Sequence, residues 1–183
     1  MATPRRMTLT KKKGATNLGK KIDGRARYWV FEGIKKAGKT IIFTVQYLGQ
    51  CGCGFGRKVE RKIEMKGSQT LDELHDAIIY KSFGWDDPHL YAFHMDNQPY
   101  SKNRGREYSC NPEPDHFTGE KANSTSIRLM DLNLGKNQKF LFIFDFGDDH
   151  YFHIQVSGFG EAEKGRKYPL VLEEKGKAPR QYR

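Results

Sequence analysis

With 183 residues, 37% of them hydrophobic and 13% aromatic, the chain is long enough for one good core, and its aromatic content excludes wholesale disorder. Its apolar runs fall far short of the roughly 20 residues of a membrane span, and none follows the basic N-terminus as a secretory signal requires, so a soluble cytoplasmic protein without membrane partners is expected. Three cysteines, Cys51, Cys53 and Cys110, are too few for a disulfide scaffold and suit a reducing compartment.

The formal charge of +10 is not spread evenly. Residues 1–40 hold 12 Lys+Arg against 2 Asp+Glu, whereas the remainder holds 20 of each sign. Residues 1–26 show no apolar period and are expected to form a basic, mostly disordered arm ahead of a single domain over 27–183. Arg5, Arg6, Lys11, Lys12, Lys13, Lys20 and Lys21 are the candidate contacts to nucleic acid phosphates, because bound Lys and Arg release counterions. A solubilising tail has the same composition.

Tyr28–Phe31 is a possible short strand. Thr40–Leu48, rich in β-branched and aromatic residues, predicts the first firm strand, and Arg57–Met65 predicts its return after a glycine loop (Gly49, Gly52, Gly54, Gly56). Strand alternation at Val59, Arg61 and Ile63 rules out a phosphate loop, which has to open a helix.

Thr70 with Glu73 forms a capping box, and Leu71, Leu74, Ile78 and Phe83 share one face, flanked by His75 and Ile79, which predicts an amphipathic helix. Gly84 is placed as its left-handed stop, with Trp85 folding back on it. Leu90–Met95 predicts a further strand. Residues 97–125, polar and carrying Pro99, Pro112 and Pro114, read as a long surface insertion. Ile127–Leu134 reads as a connector, part strand and part helical turn.

Phe140–Val156 predicts a hairpin about Gly147-Asp148-Asp149. A two-residue turn is the commoner chemistry, but a one-residue slip exchanges the faces of a strand. Apolar sorting therefore favours a three-residue loop, which sets Phe144 opposite Phe152 and Phe142 opposite Ile154. Asp145 then falls on the face of Tyr151 and His153. Glu161–Arg166 is expected to loop out, and Tyr168–Leu172 to form a last strand. The fold class expected is α+β: a mostly antiparallel sheet in ββαβ…ββ order with one main helix on one face, for which a ubiquitin-like grasp is the nearest common topology.

The segments TLDELHDAI (70–78), FGWDDPHLYAF (83–93), FDFGDDHYFHI (144–154) and KYPLVLEEKGKAPRQY (167–182) occur in this order. Together they closely resemble the plasmid pRiA4b ORF-3-like family, which includes insertion-element passenger proteins called TnpR. The resemblance covers about Thr40 to Tyr182 and implies an α+β fold, an association with plasmids and mobile elements, and no established activity. Where many members carry Trp after the Gly-Asp-Asp turn this chain has His150, and a histidine common two residues later is Phe152 here. The resemblance therefore assigns this pair no catalytic role.

Two side-chain groups can carry chemistry. Asp86, Asp87 and His89 follow the helix, and Asp145, Asp148, Asp149 and His150 surround the hairpin turn. Carboxylates with histidine can hold a divalent ion or move protons, although turns also select Asp with no chemistry attached. Cys51, Cys53, Cys110 and His116 offer four zinc ligands, at spacings unlike the usual Cys-x-x-Cys knuckles. Asp145-Phe146-Gly147 echoes a kinase metal motif without the other kinase elements, and no Gly-x-Ser-x-Gly elbow is present. The reading drawn from these residues is a non-enzymatic binding module with no cofactor, contacting nucleic acid through its arm. The alternative is a metal-dependent hydrolase using Asp86, His89, Asp145 and His150, and zinc is the alternative cofactor.

Overall fold

The computed structural model describes residues 39–52, 58–116 and 118–182. The basic arm, the possible strand at Tyr28–Phe31 and Cys53 lie outside the described residues.

The first two strands are β1 (Lys39–Gln50) and β2 (Val59–Lys66). Along β1, Ile41, Phe43 and Val45 are buried, with Tyr47 packed against the core on the same face. On β2 the buried set is Val59, Arg61, Ile63 and Met65. This is the period of two that a half-buried strand requires.

Thr70 caps α1 (Leu71–Asp76), and both halves of the capping box with Glu73 are formed. Two more of the free N–H groups at the helix start, those of Leu71 and Asp72, donate to the carbonyls of Ile127 and Thr125, so the 125–128 connector completes the cap. From Ala77 to Phe83 the helix widens to π pairing, and Gly84 ends it at φ 67° with its N–H on the carbonyl of Ile79. Pairing at i to i+5 carries Phe83 beneath Ile78, which the narrower turn of an α-helix would not do. Leu71, Leu74, Ile78, Ile79 and Phe83 are all buried, and Trp85 folds back as expected, its N–H on the Ile79 carbonyl. Burying Leu74 and Ile78 contributes about 1.5–3 kcal/mol each.

The remaining strands are β3 (Tyr91–His94), β4 (Glu107–Ser109), β5 (Asn123–Ser124), β6 (Lys139–Phe144), β7 (His150–Glu161) and β8 (Leu170–Lys175). The described strands form one sheet in the order β5-β4-β3-β6-β7-β1-β2-β8. Only the β4–β5 pair is parallel. The class is α+β with the helix on one face. The strand order does not support a ubiquitin-like grasp, because β1 lies between β7 and β2 and is antiparallel to both.

Residues 97–125 are not all surface loop. They carry β4 and β5 onto the sheet edge and bury Glu107, Ser109, Ala122 and Thr125.

The hairpin has the parity read from its apolar pattern but a register two residues away. Phe142 faces Phe152 and Phe144 faces His150. The loop is Asp145–Asp149, with left-handed residues at both ends (φ 60° and 53°). The Asp145 carboxylate takes the N–H groups of Gly147 and Asp148, at 3.0 and 3.3 Å, a local bond that lets Asp tolerate this conformation. Asp145 and Phe146 are thereby drawn into the turn. Phe146 becomes exposed, and Asp145 is buried at 6% exposure rather than lying on the face of Tyr151 and His153. Phe140, Phe142, Phe144, Phe152 and Ile154 are fully buried in one cluster with Leu74 and Ile78.

Candidate functional site

Four pieces of chain meet at the turn end of the sheet: the β6–β7 turn, the C-terminal end of β1, the segment after the helix, and residues 178–182. The turn brings three ligand atoms together. One ring nitrogen of His150 and carboxylate oxygens of Asp145 and Asp148 lie within 4.8 Å of one another.

His150 opens β7 and is 2% exposed. Its Nδ1 lies 2.8 Å from the Tyr47 hydroxyl, whereas Nε2 is buried with no hydrogen-bond partner among the described residues. The Trp85 ring packs on it at 4.7 Å. Burial lowers the basicity of this imidazole despite the nearby Asp148 and Asp145 carboxylates, which keeps it available as a neutral donor. Burial, reinforced by Asp148, pushes the Tyr47 phenol up to about 12, so it keeps its proton.

The helix-end turn supplies His89. Its Nδ1 is 3.6 Å from Asp145 Oδ2, and its Nε2 is 3.6 Å from Asp87 Oδ2. The two acidic turns, 58 residues apart in sequence, are thus joined through His89 and Asp145. Asp86, grouped with them from the sequence, is exposed. Asp149 faces the other way: its carbonyl takes the Cys51 N–H and its carboxylate takes the Tyr100 hydroxyl. Tyr182, near the C-terminus, places its hydroxyl 2.5 Å from His89 Nε2 and 3.3 Å from Asp145 Oδ2.

The zinc set finds no such convergence among the described residues. Cys51 follows β1, whereas Cys110 follows β4, where its sulfur takes the Tyr91 N–H. Strands β3, β6 and β7 stand between β4 and β1. Four steps of about 4.8 Å put the two strands roughly 19 Å apart. His116 is exposed.

Sequence reasoning missed Tyr47 and Tyr182. The first was legible as an inward position of β1. The second closes the 167–182 segment that carries the family resemblance, but that segment has no periodicity to show that it reaches the site across 93 residues to His89.

A mostly antiparallel sheet carrying one capped helix, with an Asp/His cluster at its central turn, defines the class of domain. The chain belongs to the plasmid pRiA4b ORF-3-like family, whose model matches residues 54–181. Its fold is similar to that in the crystal structure of MM3350, a protein of unknown function from Methanosarcina mazei Go1, with a TM-score of 0.59 at 21% identity. That likeness covers 79% of this chain and 73% of the other. No curated protein matches the sequence. Among the described residues, no helix is long and apolar enough to cross a membrane.

Proposed function

We propose that the protein is a metal-dependent hydrolase whose divalent ion is held at the β6–β7 turn by Asp145, Asp148 and His150. The observation that carries this reading is the buried, unpartnered Nε2 of His150 in a residue grouped with two carboxylates within 4.8 Å. A buried polar atom left without a partner costs about 1–3 kcal/mol, and a coordinated cation removes that cost. Imidazole with carboxylate suits zinc or manganese. A bound ion would supply Lewis-acid polarisation of a substrate oxygen. The protein's part is to fix the donors: Asp145 through its own turn N–H bonds, and His150 through Tyr47 and Trp85.

The test is calorimetric titration of the full chain with manganese or zinc, followed by assay on a chromogenic phosphodiester and a carboxylic ester. The reading expects binding near one equivalent, metal-dependent turnover, and loss of both in Asp145→Asn. Binding without turnover returns the domain to a non-enzymatic binding module, and no binding ends the metal reading.

The charge pattern supports a second role, nucleic-acid contact by the basic arm, in keeping with association with mobile elements. Strand β1 starts at Lys39, which pairs with Glu161, whereas Gln50 at the other end pairs with His150. At about 3.4 Å per residue the start of β1 at Lys39 lies roughly 35–40 Å from the metal cluster. Removing residues 1–26 should then abolish retention on DNA or RNA and leave metal affinity unchanged. Equal retention by both forms would sink this role.

A further inference from the structure

Residues 178–182, Ala-Pro-Arg-Gln-Tyr, carry no pattern that predicts an element, yet they are pinned at several points to the segment after the helix. Ala178 packs against the core, and the Trp85 indole N–H donates to the Pro179 carbonyl at 2.9 Å. Gln181 and Asp87 exchange two hydrogen bonds: the Asp87 N–H to Gln181 Oε1 at 3.2 Å, and the Gln181 amide to the Asp87 carbonyl at 2.8 Å. These contacts deliver the Tyr182 hydroxyl to His89 and Asp145.

Asp145 is held unevenly by its own turn. The N–H groups of Gly147 and Asp148 both converge on Oδ1, which fixes that oxygen but lets the carboxylate pivot about it. A contact at Oδ2 is needed to set its plane, and Tyr182 and His89 supply one whichever way their protons lie. A phenol keeps its proton at neutral pH. If that proton goes to Oδ2, Tyr182 holds the carboxylate directly, at 3.3 Å. If it goes to His89 Nε2, the imidazole carries its own proton on Nδ1 and points it at Oδ2 across 3.6 Å. A charged imidazole, with protons on both nitrogens, leaves the phenol to Oδ2 and adds the Nδ1 contact. In each state the pair turns a donor toward Oδ2.

We infer that Tyr182 and His89 are positioning residues for Asp145, and that residues 178–182 complete the site by docking beside it. Neither residue touches the ion. This rests on the metal reading of Asp145, Asp148 and His150. The pair lies nearer solvent than the carboxylate that it orients: Asp145 is 6% exposed, whereas Tyr182 is 41% exposed. The same segment reaches a second ligand through Trp85, whose indole is bonded to Pro179 and packs on His150 at 4.7 Å. Docking of the segment is thereby coupled to ion binding, and by reciprocity a bound ion should hold the segment in place.

The experiment is a manganese(II) titration of the full chain by calorimetry, on the native protein, Tyr182→Phe, His89→Ala and Asp145→Asn. Metal-free melting curves and timed trypsin cleavage at the exposed Lys177 and Arg180 accompany it. Tyr182→Phe removes one hydroxyl from an exposed side chain and should melt like the native protein. Its manganese affinity should fall about 10–100-fold, the usual effect of losing an outer partner, and His89→Ala should weaken binding in the same direction. Manganese should slow cleavage at the two sites in the native protein and not in Tyr182→Phe at the same ion concentration. If Asp145→Asn loses the ion while Tyr182→Phe and His89→Ala bind it as tightly as the native chain, the positioning role is wrong and the trio stands. If the native protein binds no manganese, the metal reading fails and this inference fails with it.

Discussion

The hydroxyl of Tyr47, on β1, lies 2.8 Å from Nδ1 of His150, the first residue of β7. The contact ties the strand beside the hairpin to the imidazole at its turn. When Nδ1–H donates to the phenol oxygen, the lone pair of Nε2 is left for a metal. Tyr47→Phe keeps the ring against Phe83, Trp85 and Phe152 and removes only that anchor. Divalent-ion affinity should fall about 10–100-fold with little change in melting temperature. Unchanged affinity would detach Tyr47 from the site.

The core prediction follows from the register. Phe142, facing Phe152, and Leu74 of the helix are fully buried in one cluster. Leu74→Ala or Phe142→Ala should each cost about 2–5 kcal/mol, read by urea or thermal unfolding. Against a typical domain stability of about 5–15 kcal/mol, either change is severe. Native-like melting in both would place the helix elsewhere.

Arg61 stands where the alternation of β2 would put an apolar residue. Its guanidinium donates to the Ser82 carbonyl at the helix end and to the carbonyls of Glu60, Lys175 and Gly176, and it lies 5.1 Å from the Phe83 ring centre. Arg61→Leu removes these hydrogen bonds, the buried one to the Ser82 carbonyl among them, and should destabilise by about 1–3 kcal/mol. Gly176→Ala tests the same corner. At φ 73° a β-carbon would meet the Lys58 carbonyl oxygen at 2.3 Å, and a loss of at least 1–3 kcal/mol is expected.

Acid sensitivity has a defined sign. Burial holds the basicity of His75 and His94 below that of a free imidazole, even though Asp76 and Glu107 oppose it. The unfolded chain then binds protons that the folded chain refuses. Stability from these two groups is complete above the ordinary histidine value near 6.5 and is lost as pH falls below it, toward their lower folded values. Unfolding free energy measured between about pH 7.5 and 5 should decline, and the decline should shrink in a His75→Gln, His94→Gln double variant. A flat profile would contradict it.

Much of the fold was legible because local signals agreed. The capping box, one apolar stripe and the glycine stop predict the helix, and alternating phenylalanines predict the face that it covers. The hairpin register was not legible, because Asp145 spends two residues in a turn through its own carboxylate, a choice that competes with apolar sorting by less than the sorting itself conveys. Asp145, Asp148 and His150 were legible as a group around that turn, but the turn itself moves Asp145 from the open face of the sheet to the interior, which the sequence pattern did not show. His89 and Asp145 were both legible as candidates, but their contact depends on the β3–β6 pairing, which no local pattern encodes. Tyr182 lay beyond reach for the same reason.

The most direct measurement is X-ray absorption at the zinc edge on the full-length protein loaded with one equivalent of zinc. The account predicts a shell of nitrogen and oxygen only, near 2.0–2.2 Å, with imidazole scattering that weakens in His150→Ala and a spectrum indifferent to Cys110→Ser. A sulfur shell near 2.3 Å, or a sample that retains no zinc, would contradict it.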